Sequence, residues 1–154
     1  MSEHINGFRA AVAAGLAALT ALWGWYGWLV LLWAALMGLD VATGMARAAK
    51  GGAWSSSAAR EGLWHKAGAM AAVLVACLLD LTLSQVAAAL PGVGLPAGEL
   101  ALLGPTTVVW YILTECGSIV ENAGALGAPV PGWLARRLER LRDRVDQGKE
   151  DEEI

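Results

Sequence analysis

Asp40, Asp80 and Glu115 stand inside long stretches that hold no cation, since no Lys or Arg occurs between Arg9 and Arg47 or between Lys66 and Arg136. A carboxylate in so apolar a setting must be neutral, paired or wetted, and its usual work inside a bilayer is to carry charge or a proton. Asp80 lies about 21 Å along a helix from Lys66, and no Lys or Arg falls in the same apolar stretch to pair with it. Its structural alternative is a neutral, hydrogen-bonded acid. Glu115 lies deeper than Glu121 and Asn122, which read as a solvated cap, and Asp40 is placed to cap or pair with the segment around Arg47.

Other chemistry lacks its residues. His4 and His65 are far apart without companion ligands, and Cys77 and Cys116 have no CxxC spacing. The histidines read as interfacial side chains and the cysteines as small buried hydrophobes, with a bridge between subunits as the lesser option. There is no Gly-rich phosphate loop, metal cluster or nucleophile motif in the sequence. No enzyme, metal or cofactor is expected.

The elements that must position the three acids are membrane helices. Of the 154 residues, 56% are hydrophobic and only 16% charged, with 8 Trp against a single Phe and a mean hydropathy of +0.50. A crossing helix needs roughly 20 mostly apolar residues, and the expected fold is an all-α integral membrane protein with four spans, at about 8–27, 28–46, 67–90 and 100–124. In the alternative, three spans cross and the first segment lies in the interface. Trp23-Gly-Trp-Tyr-Gly-Trp28 suits the headgroup depth, where a side chain with an apolar body and a polar tip is favoured. A cleaved signal peptide is disfavoured, because no small-residue cleavage site precedes Trp23.

With four spans, Arg9, the loop cations Arg47, Lys50, Arg60 and Lys66, and the basic residues from Arg136 to Lys149 share one side. Cation-rich loops stay cytoplasmic, so both termini are expected in the cytoplasm. The other side holds the aromatic turn and the loop Pro91-Gly-Val-Gly-Leu-Pro-Ala-Gly-Glu99. The net charge of -3 comes from acids gathered in Glu150-Asp-Glu-Glu153. The domain reading is a membrane domain over 1–130 and a charged cytoplasmic tail over 131–154.

Phe8, Val12, Leu16 and Leu19 form one stripe of the first helix. In the third span Gly68, Ala72 and Ala76 recur every fourth residue and lead to Asp80. Small residues at that spacing let helices approach closely, within one chain or between copies, and these three are the candidates for an oligomer interface. The fourth span carries a polar stripe of Thr107, Tyr111, Thr114, Ser118 and Glu121, with Glu115 beside it, which suits a neighbouring helix or a pore. After Pro129 and Pro131, Leu134, Leu138, Leu141 and Val145 form an apolar stripe flanked by Arg136, Arg137, Arg140, Arg142 and Arg144. Such a helix lies on anionic lipid or forms a coiled coil. Interspersed Glu139, Asp143 and Asp146 argue against nucleic acid.

Asp40-Val-Ala-Thr-Gly44, the basic segment with Ser55-Ser-Ser57 leading to Gly62-Leu-Trp-His-Lys66, Leu78-Leu-Asp80, Ser118-Ile-Val-Glu-Asn-Ala123 and Leu126-Gly-Ala-Pro-Val-Pro131 follow in an order and spacing that resemble the phage holins of the toxin-secretion and phage-lysis family. That family includes the holin-like proteins linked to clostridial toxin release. The similarity covers about residues 28–142, and its motif residues are Asp40, Thr43, Gly44, Glu121, Asn122, Pro129 and Pro131. The resemblance implies a small inner-membrane protein that oligomerises and opens a lesion for an endolysin or a toxin, with the lipid bilayer and copies of itself as direct partners. The Ala- and Trp-rich first third, the Gly/Pro-rich outer loop and the acidic terminus depart from the family pattern. A channel or transporter subunit, or a membrane scaffold acting through its Arg-rich tail, are the competing classes.

Overall fold

A computed structural model describes residues 2–52, 55–90, 92 and 102–147, with side chains other than those of 2–5, 11, 18–23, 58 and 147. The loop at 93–99, the acidic end at 150–153 and the side chains of His4 and Leu19 lie outside this set. The described chain forms four helices, α1 (Ser2–Lys50), α2 (Ser56–Ala89), α3 (Leu103–Leu126) and α4 (Gly132–Gln147), and no strand occurs among the described residues.

α1 is two helices in succession, because Gly24 adopts φ 57° and ψ -143° and breaks the run inside the aromatic segment. Glycine alone takes such a positive φ at no steric cost. The run after the break, Gly24–Lys50, has 27 residues, and the apolar part of α2, Ala59–Ala89, has 31; both are long and apolar enough to cross a bilayer. At 1.5 Å per residue they extend about 40 and 46 Å, against about 30 Å of hydrocarbon. α3 is also long enough, at 24 residues, but Thr106, Thr107, Thr114, Glu115 and Ser118 dilute its hydropathy. Before the break, Phe8 and Val12 are exposed.

The hydropathy pattern puts Arg47, Lys50, Arg60 and Lys66 in a loop, and here the structure differs. All four lie on helices, and only the short segment from Gly51 to Ser55 joins α1 to α2. Hydropathy runs stop at a charge, whereas a helix does not: a long aliphatic stem lets a cation sit on a helix well inside its end. Gly52, at φ 64°, completes the turn.

α3 is the central helix. It packs against α1, α2 and α4, while α1 and α2 barely touch. Each helix contributes a stripe at steps of three and four: Tyr26, Val30, Trp33, Met37 and Asp40 on α1; Lys66, Ala69, Val73, Cys77 and Asp80 on α2; Gly104, Val108, Tyr111, Glu115 and Asn122 on α3. The pairings Tyr26 with Gly104, Asp40 with Asn122, and Lys50 with Leu126 make α1 after Gly24 parallel to α3. Lys66 beside Glu115 and Asp80 beside Gly104 make α2 antiparallel to both. The result is layered: a dry centre of Trp33, Ala69, Val73 and Val108, with polar layers on either side. Large apolar side chains, Leu74, Val75, Leu78 and Leu81 among them, are exposed on the outer face of α2, as lipid contact requires.

Candidate functional site

The polar layer toward the Lys50 end is a buried ion network. Lys66 on α2 holds Asp40 Oδ2 of α1 at 3.0 Å and Glu115 Oε2 of α3 at 2.5 Å. Glu115 is only 6% exposed. Asn122, equally buried, donates through Nδ2 to Asp40 Oδ1 at 3.1 Å and to Thr43 Oγ1 at 3.3 Å, and accepts from Arg47 at 3.2 Å. Gly44 lies against that amide, and a Cβ there would meet Asn122 Nδ2 at 3.6 Å, an ordinary contact. Two carboxylates and two cations thus share one hydrogen-bonded cluster across three helices. Lys50 Nζ closes the end of the bundle on the Leu126 carbonyl, beside Gly127, whose left-handed φ of 97° caps α3 ahead of Pro129 and Pro131.

Water can reach this network. A cleft of about 1000 Å³, whose rim includes Arg60, Glu61 and His65, and a second of about 450 Å³ share Asp40, Gly62, Lys66 and Ser118 as lining. The larger runs inward as far as Ala69, Trp110 and Tyr111. There it meets the dry layer, where Tyr111 stacks on Trp33 at 5.6 Å between ring centroids and Val108 is fully buried. The arrangement is a vestibule with an ionic floor over an apolar plug. Charges so placed hold three helices in register, and the same charges favour water if the helices part.

The second polar layer lies at the opposite end. Asp80 accepts the backbone N–H groups of Leu103 at 3.2 Å and Gly104 at 2.7 Å. The acid that lacks a cation is therefore a cap for the first turn of α3, donated by α2, where the helix dipole favours a negative charge. Tyr26 Oη and Cys77 Sγ hydrogen-bond at 3.0 Å beside it. A Cβ at Gly104 would come within 2.8 Å of Tyr26 Oη and 3.0 Å of Asp80 Oδ2. Gly104→Ala is accordingly expected to cost about 1–3 kcal/mol through overpacking, read as a lower unfolding midpoint of the detergent-solubilised protein.

The other candidate residues fall in different places. Ala76 is buried within the chain, whereas Gly68 and Ala72 are exposed on α2. The inner face of α2 is Lys66, Ala69, Val73 and Cys77, a neighbouring stripe. Thr107 borders a groove with Ala72 and Ala76, Tyr111 packs in the core, and Thr114 bonds the Trp110 carbonyl of its own helix. Ser118 lines both clefts, and Glu121 is exposed. Arg136, Arg137, Arg140, Arg142 and Arg144 are exposed on α4. Sequence reasoning missed the partnership of Lys66 and the role of Arg47. The signal was present in the spacing, because Lys66, Ala69 and Val73 continue one helical stripe across the first charge.

An uncharacterized protein of Halalkalibacterium halodurans is 32% identical over 140 residues, covering 91% of this chain and 96% of its own length. An uncharacterized protein of Clostridium perfringens is 28% identical over 106 residues, 69% of each chain. No solved structure matches. Residues 17–143, which contain the ion network, the Asp80 cap and three quarters of α4, match the family described as the bacteriophage holin family. A chain with apolar helices long enough to cross a membrane, a helix with a polar stripe held between them and this match over most of its length belongs to the bacteriophage holin family.

Proposed function

We propose that the protein is a holin that oligomerises in the bacterial inner membrane and opens lesions through which an endolysin, or an exported toxin, leaves the cytoplasm. The observation that carries this reading is the central position of α3. The helix that carries the polar stripe of Thr114, Glu115 and Ser118 is covered by α1 and α2 and tied to them by Lys66, Asp40 and Glu115. Lipid tolerates a polar helix face only when protein or water covers it. A bundle that exchanges intramolecular cover for contacts with other copies turns Glu115, Ser118 and Thr114 toward water, and a ring of such faces lines a hole.

In the proposed topology residues 1–130 form the membrane domain with four crossings, the first ending at the Gly24 break, and 131–154 form a cytoplasmic tail. Both termini are cytoplasmic, which puts Arg47, Lys50, Arg60 and α4 on the cation-rich inner side. Gly68 and Ala72, exposed on α2, serve as the interface between copies. Ala72→Leu is expected to delay or abolish lysis while leaving membrane insertion intact; unchanged timing would remove that interface.

The test is inducible expression in bacteria with and without a cytosolic endolysin that lacks a signal sequence. Abrupt depolarisation, with lysis only when the endolysin is present, is the expected result. Depolarisation without endolysin release would make the protein an ion-sized channel, and an intact potential at high expression would overturn the reading in favour of a scaffold.

A further inference from the structure

We propose that the first half of α4 is a binding site for the phosphodiester headgroup of an anionic phospholipid, built from Trp133, Arg136, Arg137 and Arg140. These four exposed side chains of one helix border an open groove of about 300 Å³. Successive helical residues are about 100° apart, so Trp133, Arg136, Arg137, Arg140 and Arg144 fall within an arc of roughly 100°. No acid falls within that arc; Asp143, Glu139 and Asp146 follow beyond its Arg136 edge, at about 20°, 60° and 80°. The apolar arc of Leu134, Leu138, Leu141 and Val145 borders it directly, giving acyl chains a surface next to the one that holds their phosphate.

Two features of the helix start add to the arginines. The first turn of α4 contains no acid and, although the Leu134 N–H is taken by the Pro131 carbonyl, it presents the positive end of the helix dipole. Gly132 has no side chain, and a Cβ there would stand 3.4 Å from an Arg136 guanidinium nitrogen; Arg136 therefore folds back over the first turn and brings its charge to the same spot. A planar guanidinium pairs bidentately with phosphate oxygens, and an exposed indole beside it, Trp133 at 63%, is the residue favoured at headgroup depth. α4 follows α3 after only five residues, Gly127 to Pro131, so the site cannot leave the membrane surface.

The inference rests on the topology proposed above, with α4 at the inner leaflet. Its test is independent of lesion formation. Full-length protein in neutral detergent is titrated with phosphatidylglycerol or phosphatidylcholine, and lipid retention is read by native mass spectrometry. Wild type is expected to retain phosphatidylglycerol, and the triple substitution Arg136→Gln/Arg137→Gln/Arg140→Gln to weaken retention about a hundredfold, from roughly fivefold for each cation near an anionic lipid surface. Circular dichroism checks that the variant keeps its helix content, and the single Arg140→Gln, expected to lose about fivefold, serves where it does not. Equal retention of both lipids, an unchanged variant, or displacement of the lipid by millimolar inorganic phosphate would overturn the assignment to a lipid. Depolarisation assayed on the same proteins separates the two readings, since retention without depolarisation leaves this site standing and removes the holin, and the converse removes this site alone.

Discussion

Lys66→Leu is expected to destabilise the three-helix bundle by about 3 kcal/mol, because it leaves the buried Glu115 and the half-buried Asp40 with no cation between them. In the native chain Lys66 Nζ sits 3.0 Å from Asp40 and 2.5 Å from Glu115, and neither acid has a second cation in direct contact among the described residues. Lys66→Arg, which keeps the charge in a bulkier fork, is expected to lose less. Replacing all three residues together, Asp40→Leu/Lys66→Leu/Glu115→Leu, is expected to restore most of the stability, since an apolar cluster of similar volume avoids the desolvation that an ion pair must overcome. Reversible denaturation of the purified protein in mixed detergent measures all three. A single Lys66→Leu variant within about 0.5 kcal/mol of wild type would show that the network does not hold the bundle. In cells, the same variant is expected to advance the onset of depolarisation, because the cover of α3 is weakened before assembly begins.

Why this network is only partly legible in the sequence follows from how charge and periodicity are read. The long apolar runs, the polar stripe of α3 and the amphipathic α4 follow directly from composition and a period of 3.6, and all fall on helices in the structure, the first two runs together on α1 with its break at Gly24. The placement of Lys66 does not, since a cation at the edge of an apolar run reads as the end of a span. Only the packing of α2 against α3 shows that its stem reaches inward to Glu115. The small stripe of Gly68, Ala72 and Ala76 is legible as a pattern, but which stripe faces the chain's own core depends on the neighbours, and the core takes Ala69 and Val73. The Gly24 break is visible in retrospect as two glycines among Trp23, Trp25, Tyr26 and Trp28, although glycine in membrane helices is too common to mark a break alone. Asn122, which sequence reasoning assigns to a solvated end, is buried because α1 supplies Asp40, Thr43 and Arg47 as partners from more than seventy residues away.

Asp80→Leu is the second substitution expected to have a large effect, and it separates two roles that an intramembrane acid can have. The α3 helix starts after Leu102, which offers no side-chain cap. Asp80 accepts from Leu103 and Gly104, and Pro105, the third residue of the helix, has no N–H to leave unpaired. Removing the carboxylate leaves the half-buried Gly104 N–H and the exposed Leu103 N–H without their acceptor, a loss of about 2 kcal/mol. Asp80→Asn keeps an acceptor oxygen but not the charge at the helix start, and is expected to lose about 1 kcal/mol. A carboxylate that moves in the membrane potential would behave differently: one charge crossing 100 mV is worth about 2.3 kcal/mol, so its neutralisation would change how an uncoupler triggers the protein. Because both oxygens of Asp80 are already engaged by the backbone of α3, Asp80→Asn is expected to lower the unfolding midpoint while leaving the response to an uncoupler at its wild-type level. Loss of that response with unchanged stability would instead make Asp80 the voltage-sensing charge and α3 a helix capped by other means.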